Sequence, residues 1–391
     1  MPSWLLDSGF DLIVFHTIFL AQRWQPDVFA TLRGRLAPLK RLTVPRLAIP
    51  QDEFLHTDIL CDFLAEFGVG YVLSCADRAE WPKIYGSLDP MPQIATVLTG
   101  YLEPATLKRI QILRRTTPVV RPIDVGYRAW RAQPWLGRHG MLKTRIAEQV
   151  RALAPSLGLT LDISLEDRDT LLGDAWLRFL LRSRVTLGVE GGASILDADG
   201  SVKRCTEGFL DTHPNASFEE VEQSCFPGRD GELNLFAISP RHLEACATRT
   251  AQILVEGAYN GVLRPNDHYI PVRADFSNLR EALELSRRED VRVSITERAF
   301  ADVVVSGAYT YASFIERALA LIGAPIERVV RERPERRWGK LRVSAARATD
   351  VPSRGLLVTR RHVVRTLRAV GLLDPVRAVW RLATRRGAAR R

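Results

Sequence analysis

Apolar positions along the chain alternate between short continuous runs and stretches at helical spacing. The runs DLIVFHTIF (11–19), RLAIPQDE (46–53), GYVLSCA (70–76) and IATVLTGYL (94–102) read as strands. Between the second and third, Phe54, Leu55, Ile59, Phe63, Leu64 and Phe67 share one face of a helix expected over 54–67. A Trp- and Gly-containing segment (121–140) precedes a second alternating series. It predicts helix 141–154, strand 159–164, helix 170–183, strand 185–190, a helix near 217–224 and strand 233–239. Helix 240–248, strands 251–256 and 268–273, and helices near 278–286 and 309–322 follow. Strands that alternate with helices predict parallel, helix-covered sheets. Two such units joined near 120–140 predict an α/β chain of two Rossmann-like domains facing a cleft, where small molecules commonly bind. The expected divisions are 1–125, 126–323 and a tail, 324–391.

Length supports that division, because 391 residues exceed what one ordinary core accommodates. With 46% hydrophobic and 26% charged residues, the composition is that of a soluble globular protein. No run of 18 uncharged apolar residues predicts a membrane span. The apolar N-terminus lacks a basic leader and contains Asp7 and Asp11, which argues for an early strand rather than a signal peptide. Five cysteines, odd in number and never spaced CxxC, argue against a disulfide framework or zinc site and for a reducing cytoplasm.

Charge changes the picture of the tail. Between Arg328 and Arg391, 19 Lys/Arg face four acids, so the net charge of +10 resides there and the rest of the chain is net acidic. Val363, Val364, Leu367 and Val370 share one helical face, as do Val376, Val379, Trp380 and Ala383, with arginines opposite. That pattern predicts a basic helical tail lying on an anionic membrane surface, at the inner face of the membrane. The alternatives are a solvated helix or a disordered tail. Aromatics are not interleaved with the charge, which argues against nucleic acid as a partner.

The densest candidate chemistry lies between Asn234 and Leu279. Ser239 suits an N-cap and Pro240 the first helical turn. A helix that starts after a buried strand presents free N–H groups and a positive dipole end, which suits a diphosphate. Arg241 stands in that first turn, where a guanidinium clamps phosphate oxygens. Glu244, three residues on, shares its face and suits a ribose diol. The plain alternative is a surface Arg–Glu pair contributing ~0.3 kcal/mol.

The order of this segment carries a resemblance. Arg-x-x-Glu on a helix, then AQILVEG, a loop, HYIPV and DFSNL resemble the donor domain of GT-B glycosyltransferases, particularly the spore-maturation-type and related group-1 bacterial enzymes. RAFADVVVSGAYTYASFIERAL (298–319) resembles the family's final helices, and the useful similarity runs from Thr186 to Ile322. The resemblance implies the GT-B fold, a nucleotide-sugar donor with Glu244 on its ribose, a hydroxyl acceptor in the N-terminal domain, and no metal cofactor. His268 and Tyr269 open a strand and are candidate donor contacts, with packing as the alternative. Many retaining members carry Glu-x7-Glu. Here the position eight after Glu244 is Gln252, so this motif does not support retention.

Other candidates flank that segment. Gly191 and Gly192 follow a buried strand and would let backbone approach the donor. Asp197 and Asp199 read as a β-hairpin turn before Gly200, or as a DxD metal site in a metal-dependent transferase. For the base that activates the acceptor, the candidates are His16 after the first strand and the pair Asp52 and Glu53. The carboxylates could instead cap the following helix. Sugar transfer to a cell-envelope glycan or lipid is the leading function, with a non-catalytic nucleotide-binding scaffold at the membrane as the alternative. No G-x-G-x-x-G follows the first strand, which disfavours a dehydrogenase.

Overall fold

Four short strands build the first sheet: β1 (Ile13–Phe15), β2 (Arg46–Ala48), β3 (Tyr71–Ser74) and β4 (Gln93–Thr96). All pair in parallel in chain order, with Val14 opposite Leu47 and Val72 opposite Ile94. Helices α1 (Pro26–Leu36) and α2 (Thr57–Glu66) belong to the same lobe. The first strand is shorter than its apolar run because a polar group ends it. After Phe15, the His16 Nδ1 accepts the Ile18 N–H and starts a short helix, Thr17–Leu20, where the sequence predicts more strand. The computed structural model describes residues 10–116 and 120–323, so the tail expected over 324–391 lies outside the described residues.

Helix α3 (Pro104–Thr116) leads to the second sheet. Its strands are β5 (Ile123–Arg128), β6 (Leu161–Ser164), β7 (Ser183–Gly188), β10 (Ala251–Val255) and β11 (Ile270–Val272). Between β7 and β10, β8 (Gly191–Ala193) and β9 (Leu235–Ala237) form an antiparallel ribbon. The helices are α4 (Gly137–Leu157), α5 (Asp174–Arg182), α6 (Ser201–Thr212), α7 (Phe218–Cys225), α8 (Pro240–Thr248), α9 (Leu279–Arg287), α10 (Glu289–Ala299) and α11 (Tyr311–Leu321). Strand order is β11-β10-β7-β5-β6, all parallel. This is the doubly wound order 2-1-3-4-5, in which winding reverses between the first strand and the third. The α/β class and two parallel sheets are as the sequence predicts.

The expected boundary at 125/126 falls inside β5, a central strand. Ile123, Val125 and Tyr127 are buried there, and Gly126 and Arg128 interrupt the apolar signal. The lobes also exchange segments. Ala193, Ile195, Val202, Val221, Phe226 and Leu233, from the second half of the chain, pack in one core with Phe15, Phe54, Leu60 and Phe63 of the first lobe. From α11, Phe314, Ala318 and Leu321 cover Leu47, Leu73, Cys75 and Val97 on the other face of the first sheet. Backbone pairing reinforces the join, with Asp197 N–H donating to Phe54 O and His56 N–H to Asp197 O.

Two expectations change here. A disulfide joins Cys205 of α6 to Cys225 of α7, where the odd count and spacing of the cysteines argue against a disulfide framework. Twenty residues apart in sequence, these cysteines are brought within a Cα separation of 5.5 Å by the helical hairpin, while Cys61, Cys75 and Cys246 stay buried and free. The segment 197–200 is not a β-hairpin. Asp197 accepts the Val202 and Lys203 N–H groups, and Asp199 that of Ser201, so both carboxylates cap α6.

Candidate functional site

Ligands of doubly wound sheets bind beyond the carboxyl ends of the strands, where winding reverses. Here that point lies between Arg128, ending β5, and Gly188, ending β7. Helix α8 is anchored directly above it. A Cβ on Gly188 would lie 2.3 Å from the His242 ring, so glycine lets α8 approach this closely. His242 is fully buried, its Nδ1 2.9 Å from the Gln252 side-chain amide and its Nε2 3.2 Å from Val189 O. Burial lowers its pKa to about 4. Gln252 Oε1 and Val189 O both accept, so the neutral ring, with one N–H, donates to one of them. Gln252 is thus engaged in locking α8 to β10, and does not line the cavity described next. From the first lobe, Thr99 Oγ1 donates to Ile238 O, and Gly100 leaves room for the Pro240 ring.

So braced, α8 opens onto a cavity of about 570 Å³. Arg128 to Trp130, the loop around 166–172, Trp176, Ser239, Pro240, Arg241 and Glu244 line it. Ser239 occupies the N-cap with extended backbone, but its hydroxyl makes no capping bond. Arg241 Nη1 donates to Arg128 O at 2.6 Å, which fixes the guanidinium at the end of β5. Glu244 accepts from Trp176 Nε1 at 2.7 Å, and burial raises its pKa. Among the described residues no ion pair joins Arg241 to Glu244, so the surface-pair alternative is not what these side chains form.

Lys143, on α4, went unnoticed in the sequence because a lysine in an amphipathic helix reads as a solvated face. Its Nζ lies 4.0 Å from where a Gly191 Cβ would stand. Burial first, then the charge of Arg241, lowers its pKa to about 8. Gly191 therefore stands beside Lys143, and neither of them lines the cavity at α8. Gly192 does not serve a ligand, since its Cβ would meet Leu235 O at 1.7 Å and its φ is 116°. It exists for the close β8–β9 pairing. Glu190, fully buried beside it, accepts the Tyr259 N–H at 2.6 Å and holds the loop after β10.

The first-lobe candidates separate. Glu53 is entirely buried and accepts from Ser74 Oγ at 2.6 Å, Cys75 N–H at 3.0 Å and Tyr85 OH at 3.3 Å. It organises the core, which corrects its reading as a base. His16 is exposed, with its Nδ1 taken by the Ile18 N–H. Asp52 is half-buried, and its carboxyl shares an electrostatic environment with Arg23 and with Lys143 from the second lobe. Burial raises its pKa more than those cations lower it.

His268 and Tyr269 are corrected as donor contacts. His268 is buried between the Arg264 N–H and Asp302, and Tyr269 packs on Tyr259 with ring centroids 5.3 Å apart. Neither lines the cavity at α8. Among the described residues no group of three or more His, Cys, Asp or Glu is arranged to hold a metal ion.

No protein-family model matches the chain. No curated protein sequence matches it either. Solved structures do show similarity. HepE of Anabaena, in complex with UDP and glucose, aligns at 10% identity and a TM-score of 0.43 over 80% of this chain and 78% of its own. A glycosyltransferase from Rickettsia africae aligns at 10% identity and 0.41, covering 82% and 79%. Sucrose-phosphate synthase from Thermosynechococcus elongatus aligns at 13% identity and 0.41, covering 82% and 75%. Similarity at this level assigns neither family nor activity, and the functional reading rests on the residues of the cavity.

Proposed function

We propose that the cavity at the start of α8 is the donor site of a glycosyltransferase, which moves a sugar from a nucleoside-diphosphate sugar to a hydroxyl acceptor. The observation that carries this reading is the meeting of two cations and a helix N-terminus beside a carboxylate-bearing cavity. Arg241 is in the first turn of α8, and Lys143 shares its electrostatic surroundings. Both charges and the α8 dipole suit a diphosphate. Glu244, steadied by Trp176, is set to accept hydrogen bonds from the ribose diol. Trp130, half-open to solvent on the cavity wall, offers a face to the base.

In the transfer step the acceptor oxygen bonds to the anomeric carbon. The bond from that carbon to the diphosphate oxygen breaks, and its electron pair leaves on the diphosphate. Arg241, Lys143 and the helix N-terminus stabilise that growing negative charge. The acceptor proton passes to Asp52, whose raised pKa suits a general base better than an ordinary surface carboxylate. The reading assigns leaving-group stabilisation to these groups rather than to a metal ion. Its setting on this reading is a membrane surface, with an envelope glycan or lipid as acceptor.

Thermal melting with millimolar UDP, GDP and ADP tests the donor site, since a ligand of the native state raises the melting temperature. At least one nucleotide is expected to do so, and Glu244→Ala, still folded, to lose most of that rise and of the sugar transfer. A wild-type melting temperature unmoved by all three would sink the donor-site reading.

A further inference from the structure

Arg23 is fully buried, yet no ion pair partners it among the described residues. A guanidinium taken out of water without a carboxylate contact is costly, and a well-packed apolar side chain would fill that space at less expense. What offsets the cost is a set of backbone carbonyls. Arg23 Nη1 donates to Leu20 O at 2.9 Å, and Nε to Leu55 O at 3.1 Å. Nη2 donates to both Gln51 O, at 3.0 Å, and Asp52 O. The loop it gathers is strained, with Gln51 at φ 48°, Asp52 at φ 52° and His56 at φ 51°, none of them glycine. Left-handed backbone in such residues persists only where surrounding contacts over-determine it, and it concentrates at functional sites.

We propose that Arg23 is a positioning residue for the acceptor base. It turns the carbonyls of Gln51 and Asp52 inward, and so presents the Asp52 carboxyl to the cleft opposite Lys143. This rests on the donor-site reading and on Asp52 as the base. No hydrogen bond fixes the Asp52 carboxyl among the described residues, so its backbone decides where it points. The charged groups that act on it are Arg23, beneath the loop, and Lys143, from α4. A lysine at 23 keeps the charge but lacks the planar fork that serves several carbonyls at once.

The test is a double-mutant cycle on release of nucleoside diphosphate from UDP-glucose, GDP-mannose and ADP-glucose, with nucleotide-induced melting shifts as the donor-binding control. Arg23→Lys is expected to lower kcat about tenfold while the nucleotide-induced shift stays at its wild-type size. That loss is expected to vanish in an Asp52→Asn background, because Arg23 acts through Asp52. Gln51→Gly accepts the left-handed backbone without strain but loosens the peptide, and it does not depend on Arg23 variants folding. It is expected to melt at or above the wild-type temperature, with kcat lowered about threefold and a displaced acid limb of kcat/KM against pH. The proposal is overturned if Arg23→Lys lowers kcat equally with and without Asp52. It is also overturned if Gln51→Gly leaves both kcat and the acid limb at wild-type values. A wild-type protein that neither binds nor turns over any of these nucleotides overturns the donor-site reading itself, and this proposal with it.

Discussion

Lys143 lies in a low-dielectric place where burial, and then the nearby charge of Arg241, make its protonation less favourable. An incoming diphosphate reverses that penalty. Nucleotide affinity should therefore be flat at neutral pH, where Lys143 is charged, and decline as pH rises through about 8, where the ammonium deprotonates. Bound anion moves the midpoint upward, and Lys143→Met should weaken binding roughly ten- to a hundredfold while flattening the profile, as calorimetry from pH 6.5 to 9 would record. His242 gives a second pH signature, on stability. Its folded pKa of about 4 lies below the ordinary 6.5, so the folded state binds the proton less readily than the unfolded chain. The contribution is present above pH 6.5 and lost as pH falls toward 4, on the order of 3 kcal/mol in all. Denaturant titrations across that window should show the loss, and His242→Gln should remove its share of the slope while leaving that of His139, whose pKa burial also lowers to about 4.

Elements are tied together by close backbone approaches, and the two neighbouring glycines show how different their duties are. Gly192→Ala would drive a Cβ to 1.7 Å from Leu235 O at a positive φ, against backbone that cannot swing away. A loss on the order of 2–4 kcal/mol is expected, readable as a depressed melting temperature. Gly191→Ala meets only Ala237 O at 3.6 Å and the Lys143 ammonium at 4.0 Å. It should fold almost as the wild type does, and its effect should fall on nucleotide binding instead. Together the pair separate a packing glycine from one that stands beside Lys143. Their Gly-Gly appearance in sequence held no such distinction, because what crowds Gly192 is a strand more than forty residues later. The capping aspartates teach the same lesson. Asp-Ala-Asp-Gly suits a hairpin turn locally, and the helix behind it decides that both carboxylates become caps.

Across the whole molecule, charge and topology divide unequally. The described residues include no helix long and apolar enough to cross a membrane. The basic stretch beyond Gly323, for which the sequence predicts contact with an anionic membrane, lies outside the described residues. A chain truncated after Gly323 should lose most of its co-sedimentation with anionic vesicles at low salt, while neutral vesicles should bind either form weakly. Equal sedimentation of both chains would remove the tail from that role. Periodicity and caps along the chain determined the α/β class, most strands, and the helix 240–248 that carries Arg241 and Glu244. Those signals are local, set by side-chain spacing and by the polar residues that end a run. Tertiary structure alone decided what depends on distant neighbours. It placed β5 inside a sheet, between β7 and β6, returned 193–235 and α11 to the first lobe, and set Lys143 beside Gly191. It also buried Glu53, His268 and Tyr269 while leaving Asp52 half-buried. A residue's type is written in the chain, but its burial and its partners come from segments tens to hundreds of residues away.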